Sequence, residues 1–275
     1  MIIIKKVSII THIRAEGVIT AMQQGNDVQS SNSSKRFKHI GADLNFAASE
    51  SYKRLRTNIF FSLDDKDDDL GYAIGITSSL RGEGKSTTSI NTAYALAESG
   101  KHVILLECDM RLPVMAKNLD ISSEPGLSDF IVGLCTSEEA IRTSIIHQNL
   151  DIVPAGSIPP NPSELLGTKR FKNILKVLKK AYDFVIIDLP PISSVSDALV
   201  VAGDVDGMIV VVRQDLCTQS LLADTMRQLS VVKDKILGFV YNGATSESKK
   251  YNKKYYKYGY GYGYGKRHQR SSNDS

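Results

Sequence analysis

The densest chemistry in the 275-residue chain lies in eight consecutive residues, Ser79-Leu80-Arg81-Gly82-Glu83-Gly84-Lys85-Ser86. Gly82 and Gly84 let backbone N–H groups curl around an anion without a Cβ in the way. Lys85 adds an ammonium, and Ser86 adds a hydroxyl that suits a hard cation. An apolar run, Tyr72 to Thr77, precedes the octet, and a helical pattern, Lys85 to Ser99, follows it. The positive end of that helix therefore faces the same anion. Strand, glycine loop and helix in this order predict a phosphate-binding loop for a nucleoside triphosphate with Mg²⁺. Ser79, Arg81, Gly82, Glu83, Gly84, Lys85, Ser86 and Thr87 would surround the phosphates, with Lys85 on the β- and γ-phosphates and Ser86 on the metal. Ser79 stands where such a loop usually has its first glycine.

Two further acidic positions end apolar runs. In Val185-Ile186-Ile187-Asp188 the carboxylate is placed to hold Mg²⁺ directly or through a water. In Leu105-Leu106-Glu107-Cys108-Asp109-Met110-Arg111, Glu107 and Asp109 are two residues apart at a strand end. That spacing predicts that both point the same way. One would approach magnesium and the other an incoming hydroxyl.

Elements that would position these groups alternate along the chain. Strands are expected at Tyr72–Thr77, His102–Glu107, Leu150–Pro154, Phe184–Asp188, Met208–Val212 and Ile236–Tyr241, with helices at Asn45–Ser62, Lys85–Ser99 and Ser163–Tyr182, the last a single long amphipathic one. Strands apolar on both faces belong in a mostly parallel sheet covered by helices on both sides. Ligands on such sheets bind at the carboxyl ends of the strands, here just after residues 78, 107, 188, 212 and 241. The fold class expected is an α/β P-loop NTPase.

The ends read differently. Residues 1–44 form a lead whose Gln23 to Lys38 stretch is rich in Gln, Asn and Ser and is expected to be flexible. Met22 opens that stretch and is a candidate true start. Residues 45–245 are the expected globular domain. Residues 246–275 lose all periodicity. Tyr251, Tyr255, Tyr256, Tyr258, Tyr260, Tyr262 and Tyr264 lie there among lysines and glycines, a composition expected to be disordered when free. Charge is divided in the same way. Lys249 to Ser275 carries a net +7 and the rest of the chain −3, which argues against nucleic acid as the partner of the body. Cys108, Cys135 and Cys217 show no pairing spacing and are expected to be reduced thiols in a cytoplasmic protein. No apolar stretch reaches the roughly 18 residues that span a bilayer.

The phosphate loop, the Glu107-x-Asp109-x-Arg111 run, the Asp188-Leu189-Pro190-Pro191 run and the tyrosine cluster together resemble the bacterial tyrosine kinases of capsule and exopolysaccharide operons, over roughly residues 45 to 265. The resemblance implies a fold related to the partition and septum-site ATPases and transfer of the γ-phosphoryl of ATP to tyrosine. It makes Lys85, Glu107, Asp109 and Arg111 catalytic and gives Ser86, Asp109 and Asp188 the metal. It places Asn242 against the adenine and makes the seven tail tyrosines the phosphoacceptors. Glu107 stands where the family has aspartate, and Glu107 or Asp109 would take the tyrosine proton. The family's Glu-x2-Arg-x2-Arg helix, which joins subunits into a ring, reads here Glu50, Lys53, Arg56, with Arg54 beside the replaced arginine. A transmembrane activator or polysaccharide co-polymerase and a cognate phosphotyrosine phosphatase are the partners implied, with the kinase peripheral at the inner face of the membrane. The rival reading is an ATPase switch of the septum-positioning kind without kinase activity; those proteins carry a lysine where this loop has Leu80.

Overall fold

The computed structural model describes residues 10–14, 39–64 and 70–244. Seven strands form one sheet: β1 (Ile10–Arg14), β2 (Tyr72–Ser78), β3 (Val103–Glu107), β4 (Leu150–Val153), β5 (Phe184–Asp188), β6 (Gly207–Arg213) and β7 (Ile236–Ala244). Their order across the sheet is β1-β7-β6-β2-β5-β3-β4, and every neighbouring pair is parallel. Parallel pairing follows from strands apolar on both faces. Alternate residues of each strand enter opposite cores. Ala73, Ile104, Leu106, Val185, Ile187, Met208 and Val210 face one, and Ile74, Ile76, Leu105, Ile186, Ile209 and Val211 face the other.

Two helices close the second core. α1 (Phe46–Ser62) starts at Asn45, whose side chain accepts from the Ala48 N–H at 2.9 Å, and buries Ala48, Leu55 and Ile59 along one stripe. α2 (Lys85–Glu98) follows the glycine loop and stops before Gly100, which takes the left-handed φ of +87° that ends a helix without Cβ strain. On the other face lie α4 (Leu127–Val132), α5 (Ser137–Ala140), α6 (Pro162–Leu166), α7 (Lys169–Ala181), α8 (Asp197–Ala202) and α9 (Gln219–Gln228), while the short α3 (Met115–Leu119) packs with the α1–α2 core.

Two expectations are corrected. The single helix expected over Ser163–Tyr182 is two, α6 and α7. Thr168 leaves helical geometry (φ −67°, ψ 150°) so that its hydroxyl accepts from the Phe171 N–H, capping α7 afresh. The lead is also not wholly loose. Ile10–Arg14 pairs along β7 from Phe239 to Ala244, and Gly41 donates its N–H to Asn91 Oδ1 on α2 at 2.9 Å.

Other expectations fall on residues that the structure does not describe. Met22 and Gln23 to Lys38 lie outside the described residues. So do all seven expected phosphoacceptors, Tyr251, Tyr255, Tyr256, Tyr258, Tyr260, Tyr262 and Tyr264, and the structure does not place any of them at the site.

β2 sits mid-sheet, where the chain reverses direction of travel. From β2 the chain crosses to β3 on one side, and from β5 it crosses back over β2 to β6 on the other. Such a reversal opens a crevice at the carboxyl ends of the strands, and Ser79 to Ser86 lies there.

Candidate active site

The glycine loop is braced from within. Glu83, fully buried, accepts from the Leu80 N–H at 2.6 Å and the Arg213 N–H at 3.2 Å. The Arg213 guanidinium returns a bond to the Gly82 carbonyl at 2.9 Å, and Asn242 Nδ2 donates to the Glu83 carbonyl at 2.8 Å. Gly82 and Gly84 both adopt positive φ, +85° and +89°. Gly84 is doubly constrained, since a Cβ there would lie 2.2 Å from Asn242 Nδ2. At the base of the loop, Ser193 Oγ donates to the Ser79 carbonyl at 2.5 Å and Ile192 N–H to the Ser78 carbonyl at 2.9 Å. The chain after β5 therefore buttresses the loop. Arg81 and Thr87 are exposed at its outer side.

Inside the loop, Lys85 is buried between two acids. Its ammonium lies 2.7 Å from Asp109 Oδ2, 3.6 Å from Asp188 Oδ2 and 3.3 Å from Ser86 Oγ. Burial alone would lower its pKa; the Asp188 and Asp109 carboxylates outweigh that and hold it above its ordinary value. Asp188 is fully buried, and burial pushes its carboxyl up against the pull of Lys85, Ser86 and Ser89. Ser89 Oγ donates to its Oδ1 at 3.0 Å, while Oδ2 is buried without a hydrogen bond. A buried acceptor with nothing donating to it is rare in a folded protein. The Lys85 ammonium faces it at 3.6 Å, and a cation beside Ser86 would fit it. Among the described residues no group of three acidic, histidine or cysteine side chains forms a metal cage.

Glu107 does not join this cluster. Both of its oxygens accept backbone N–H groups, Oε1 from Val114 at 2.6 Å and Met115 at 2.8 Å, and Oε2 from Ala155 at 3.2 Å. The side chain is fully buried, and burial raises its pKa against those three amides. The expectation that Glu107 and Asp109 point the same way is corrected. The chain after Asp109 folds back over β3, and its amides at the start of α3 capture the longer carboxylate. Arg111 also turns elsewhere: its Nε and Nη2 reach Asp197 Oδ2 and Oδ1 at 2.9 and 3.1 Å, and Ser163 Oγ bonds the same carboxylate. Arg111 thus pins the loop after β3 to the starts of α6 and α8 rather than entering the Lys85 cluster. Asp197, Ser89, Ser193 and Arg213 escaped the sequence reading.

Of the candidate assembly residues, Lys53 pairs with Glu50 at 3.1 Å and Arg54 Nη2 donates to Ser51 Oγ at 3.3 Å. Arg56 is committed within the chain, donating to the Ala95 carbonyl at 2.9 Å and tying α1 to α2.

Sheet order, loop and buried Lys85 between strand-end acids define the P-loop NTPase fold. Within it, the AAA domain family matches residues 72–237. Over 195 residues the chain is 36% identical to the tyrosine-protein kinase YwqD of Bacillus subtilis, covering 71% of this chain and 81% of that protein. The kinase domain of Escherichia coli tyrosine kinase ETK superposes with a TM-score of 0.73 at 27% identity, covering 94% of this chain and 95% of that one. The chain belongs to the bacterial tyrosine kinase family. The septum site-determining protein MinD of Pyrococcus horikoshii, solved with Mg-ADP, shares the fold at a TM-score of 0.53 and 28% identity, covering 63% of this chain and 70% of that one. Among the described residues, no helix is long and apolar enough to cross a membrane.

Proposed function

We propose that this protein transfers the γ-phosphoryl group of Mg-ATP to tyrosine hydroxyls, foremost those of Tyr251, Tyr255, Tyr256, Tyr258, Tyr260, Tyr262 and Tyr264, and that this regulates capsular or extracellular polysaccharide synthesis. The observation that carries the reading is the Lys85–Asp109–Asp188 cluster behind a braced phosphate loop, in a chain whose relatives are named tyrosine-protein kinases. The choice of acceptors rests on the sequence of the tail.

Without nucleotide one ammonium is shared between two carboxylates, so the cluster is only partly neutralised. Phosphates entering the loop offer Lys85 better counter-ions, and Lys85 turns from Asp109 to the β- and γ-phosphate oxygens. Ser86 and Asp188 would hold Mg²⁺, which would neutralise part of the phosphate charge. Asp109, released from Lys85, accepts the tyrosine proton as the phenolic oxygen bonds to the γ-phosphorus and the bond to the ADP oxygen breaks. Free tyrosine has a pKa of about 10, so a carboxylate in reach matters at neutral pH. Glu107, with three amides on it, holds the loop that presents Asp109. Asn242, which braces Gly84, would also meet the adenine.

Residues 249 to 264 span about 50 Å at roughly 3.3 Å per residue when extended, enough to enter a neighbouring subunit's site. A ring joined through α1, with Glu50, Lys53 and Arg54 at the contact and Arg56 holding α1 in place, supports transfer between subunits. Each phosphate adds about −1.5 to −2, so seven would turn a tail of +7 strongly acidic and release it from an acidic body. A transmembrane activator at the inner face of the membrane and a phosphotyrosine phosphatase complete the cycle.

The test is incubation of the full chain with Mg-ATP followed by mass spectrometry. Phosphotyrosine in residues 251–264, lost in Lys85→Met, supports the kinase. Release of inorganic phosphate with no phosphotyrosine would establish the ATPase-switch reading instead.

A further inference from the structure

Far from the phosphate loop in sequence, α7 has an unusual surface. Its thirteen residues carry six basic side chains and no acid. Phe171, Ile174, Leu175 and Leu178 bury its apolar stripe, and the cations occupy the rest. Lys172 pairs with Asp204 at 3.2 Å and Lys179 with Asp206 at 2.9 Å. Lys169, Arg170, Lys176 and Lys180 are not paired with an acid among the described residues. A face so one-sided attracts an anionic surface.

Beside it opens a cavity of about 240 Å³ between α4, α5 and α7, floored by Leu106 and Val153 of the sheet. Its lining is almost entirely apolar, and Arg170 and Val177 stand among its lining residues. Around this corner the surface is unexpectedly greasy: Val132 is 53% exposed, Leu134 78% and Val177 63%. Gly133, between the first two, lies close against Arg170, since a Cβ there would meet both terminal guanidinium nitrogens at 2.9 Å. Exposed apolar side chains rimmed by cations mark an interaction surface.

We propose that this corner docks on an anionic phospholipid bilayer, with α7 lying over the headgroups, Arg170 meeting a phosphate and the cavity accepting one acyl chain. The shape of the cavity chooses the occupant. An apolar pocket of this size stays dry and takes hydrocarbon. A peptide strand would bury backbone N–H and C=O groups there with few partners, and a sugar or nucleotide fares worse. The basic rim supplies the headgroup half of the recognition, because each Lys or Arg near an anionic leaflet contributes about 1 kcal/mol.

Co-sedimentation of the full chain tests this, with vesicles of phosphatidylcholine alone and of phosphatidylcholine mixed with phosphatidylglycerol. Two variants accompany it: the exposed quadruple charge reversal K169E/R170E/K176E/K180E, and the neutral pair Leu134→Gln with Val177→Gln. The basic C-terminal segment is present in every sample, so its own attraction to anionic vesicles is common to all. The parent is expected to partition into the anionic vesicles and to leave the neutral ones in solution. The charge reversal lowers the partition by about a hundredfold or more, from about 1 kcal/mol per cation. The glutamine pair lowers it by about tenfold through lost apolar contact. Equal partition of parent and charge reversal, or binding of an acidic peptide but not of vesicles by the parent, would overturn the proposal. Unchanged partition of the glutamine pair would remove the acyl-chain half. None of these readings depends on phosphoryl transfer, so failure here and failure of the kinase reading are separate events.

Discussion

Two acidic clusters stand side by side at the ends of β3 and β5, and they are built on opposite terms. Glu107 and Asp197 are fully satisfied: the first accepts three backbone N–H groups, the second a two-pronged guanidinium and a serine hydroxyl. Asp109 and Asp188 instead share one lysine; Asp109 accepts besides it only a long bond from the Leu112 N–H at 3.3 Å, and Asp188 keeps an oxygen with no hydrogen bond. A carboxylate that accepts three hydrogen bonds from the surrounding chain holds structure together. A carboxylate with capacity left over, beside an ammonium that better anions can draw away, is ready for a ligand. The distinction separates scaffold from working groups among four acids of similar burial, and it can be broken by substitution at either cluster.

The largest effect is expected on the working side. Lys85→Met removes the counter-ion of the phosphates and leaves Asp109 and Asp188 facing each other; tyrosine phosphate formed per minute should fall by at least a thousandfold, read by quantitative mass spectrometry. Gly84→Ala comes next. It forces a Cβ into Asn242 at a left-handed backbone position, and should weaken ATP binding by tenfold or more in titration calorimetry. On the scaffold side, Asp197→Ala should act through stability. Arg111 is exposed enough to rehydrate, so the loss is about 1–2 kcal/mol, or a few degrees in melting temperature for a domain of this size, with ATP binding near that of the parent. Smallest is Gly82→Ala, since nothing lies within 4 Å of a Cβ there. Only the backbone penalty of about 1 kcal/mol applies, and a larger loss of ATP affinity than in Gly84→Ala would show that the loop is not braced as described.

The residues proposed as working groups stood out in the sequence because their signals are local. Glycines before a lysine, between strand and helix, specify the loop whatever surrounds it, and Asp188 ends an unmistakable apolar run. The scaffold did not. Arg111 and Asp197 are 86 residues apart, and no spacing announces that the start of α8 will meet the loop after β3. Glu107 misled for a steric reason: strand alternation predicts where a Cα–Cβ bond points, but not which amides a longer side chain then finds. The break between α6 and α7 was hidden because the apolar period runs through it, although Gly167-Thr168 before an apolar helix is a cap signal. The strand at Ile10–Arg14 lies ahead of the polar Gln23 to Lys38 stretch, and its five residues give periodicity little to act on.

The most direct test of this division of roles sets Asp109→Asn beside Glu107→Gln and measures initial rates of tail tyrosine phosphorylation at saturating Mg-ATP, with melting temperatures recorded in parallel. Asp109→Asn is expected to fold like the parent and to lose about 10²–10⁴ in rate, the scale of a general base. Glu107→Gln should stay within about tenfold of the parent rate while melting lower, because its amide cannot accept from Ala155 and about 1–3 kcal/mol is lost. A Glu107→Gln protein of unchanged stability and abolished rate, alongside an active Asp109→Asn, would contradict it.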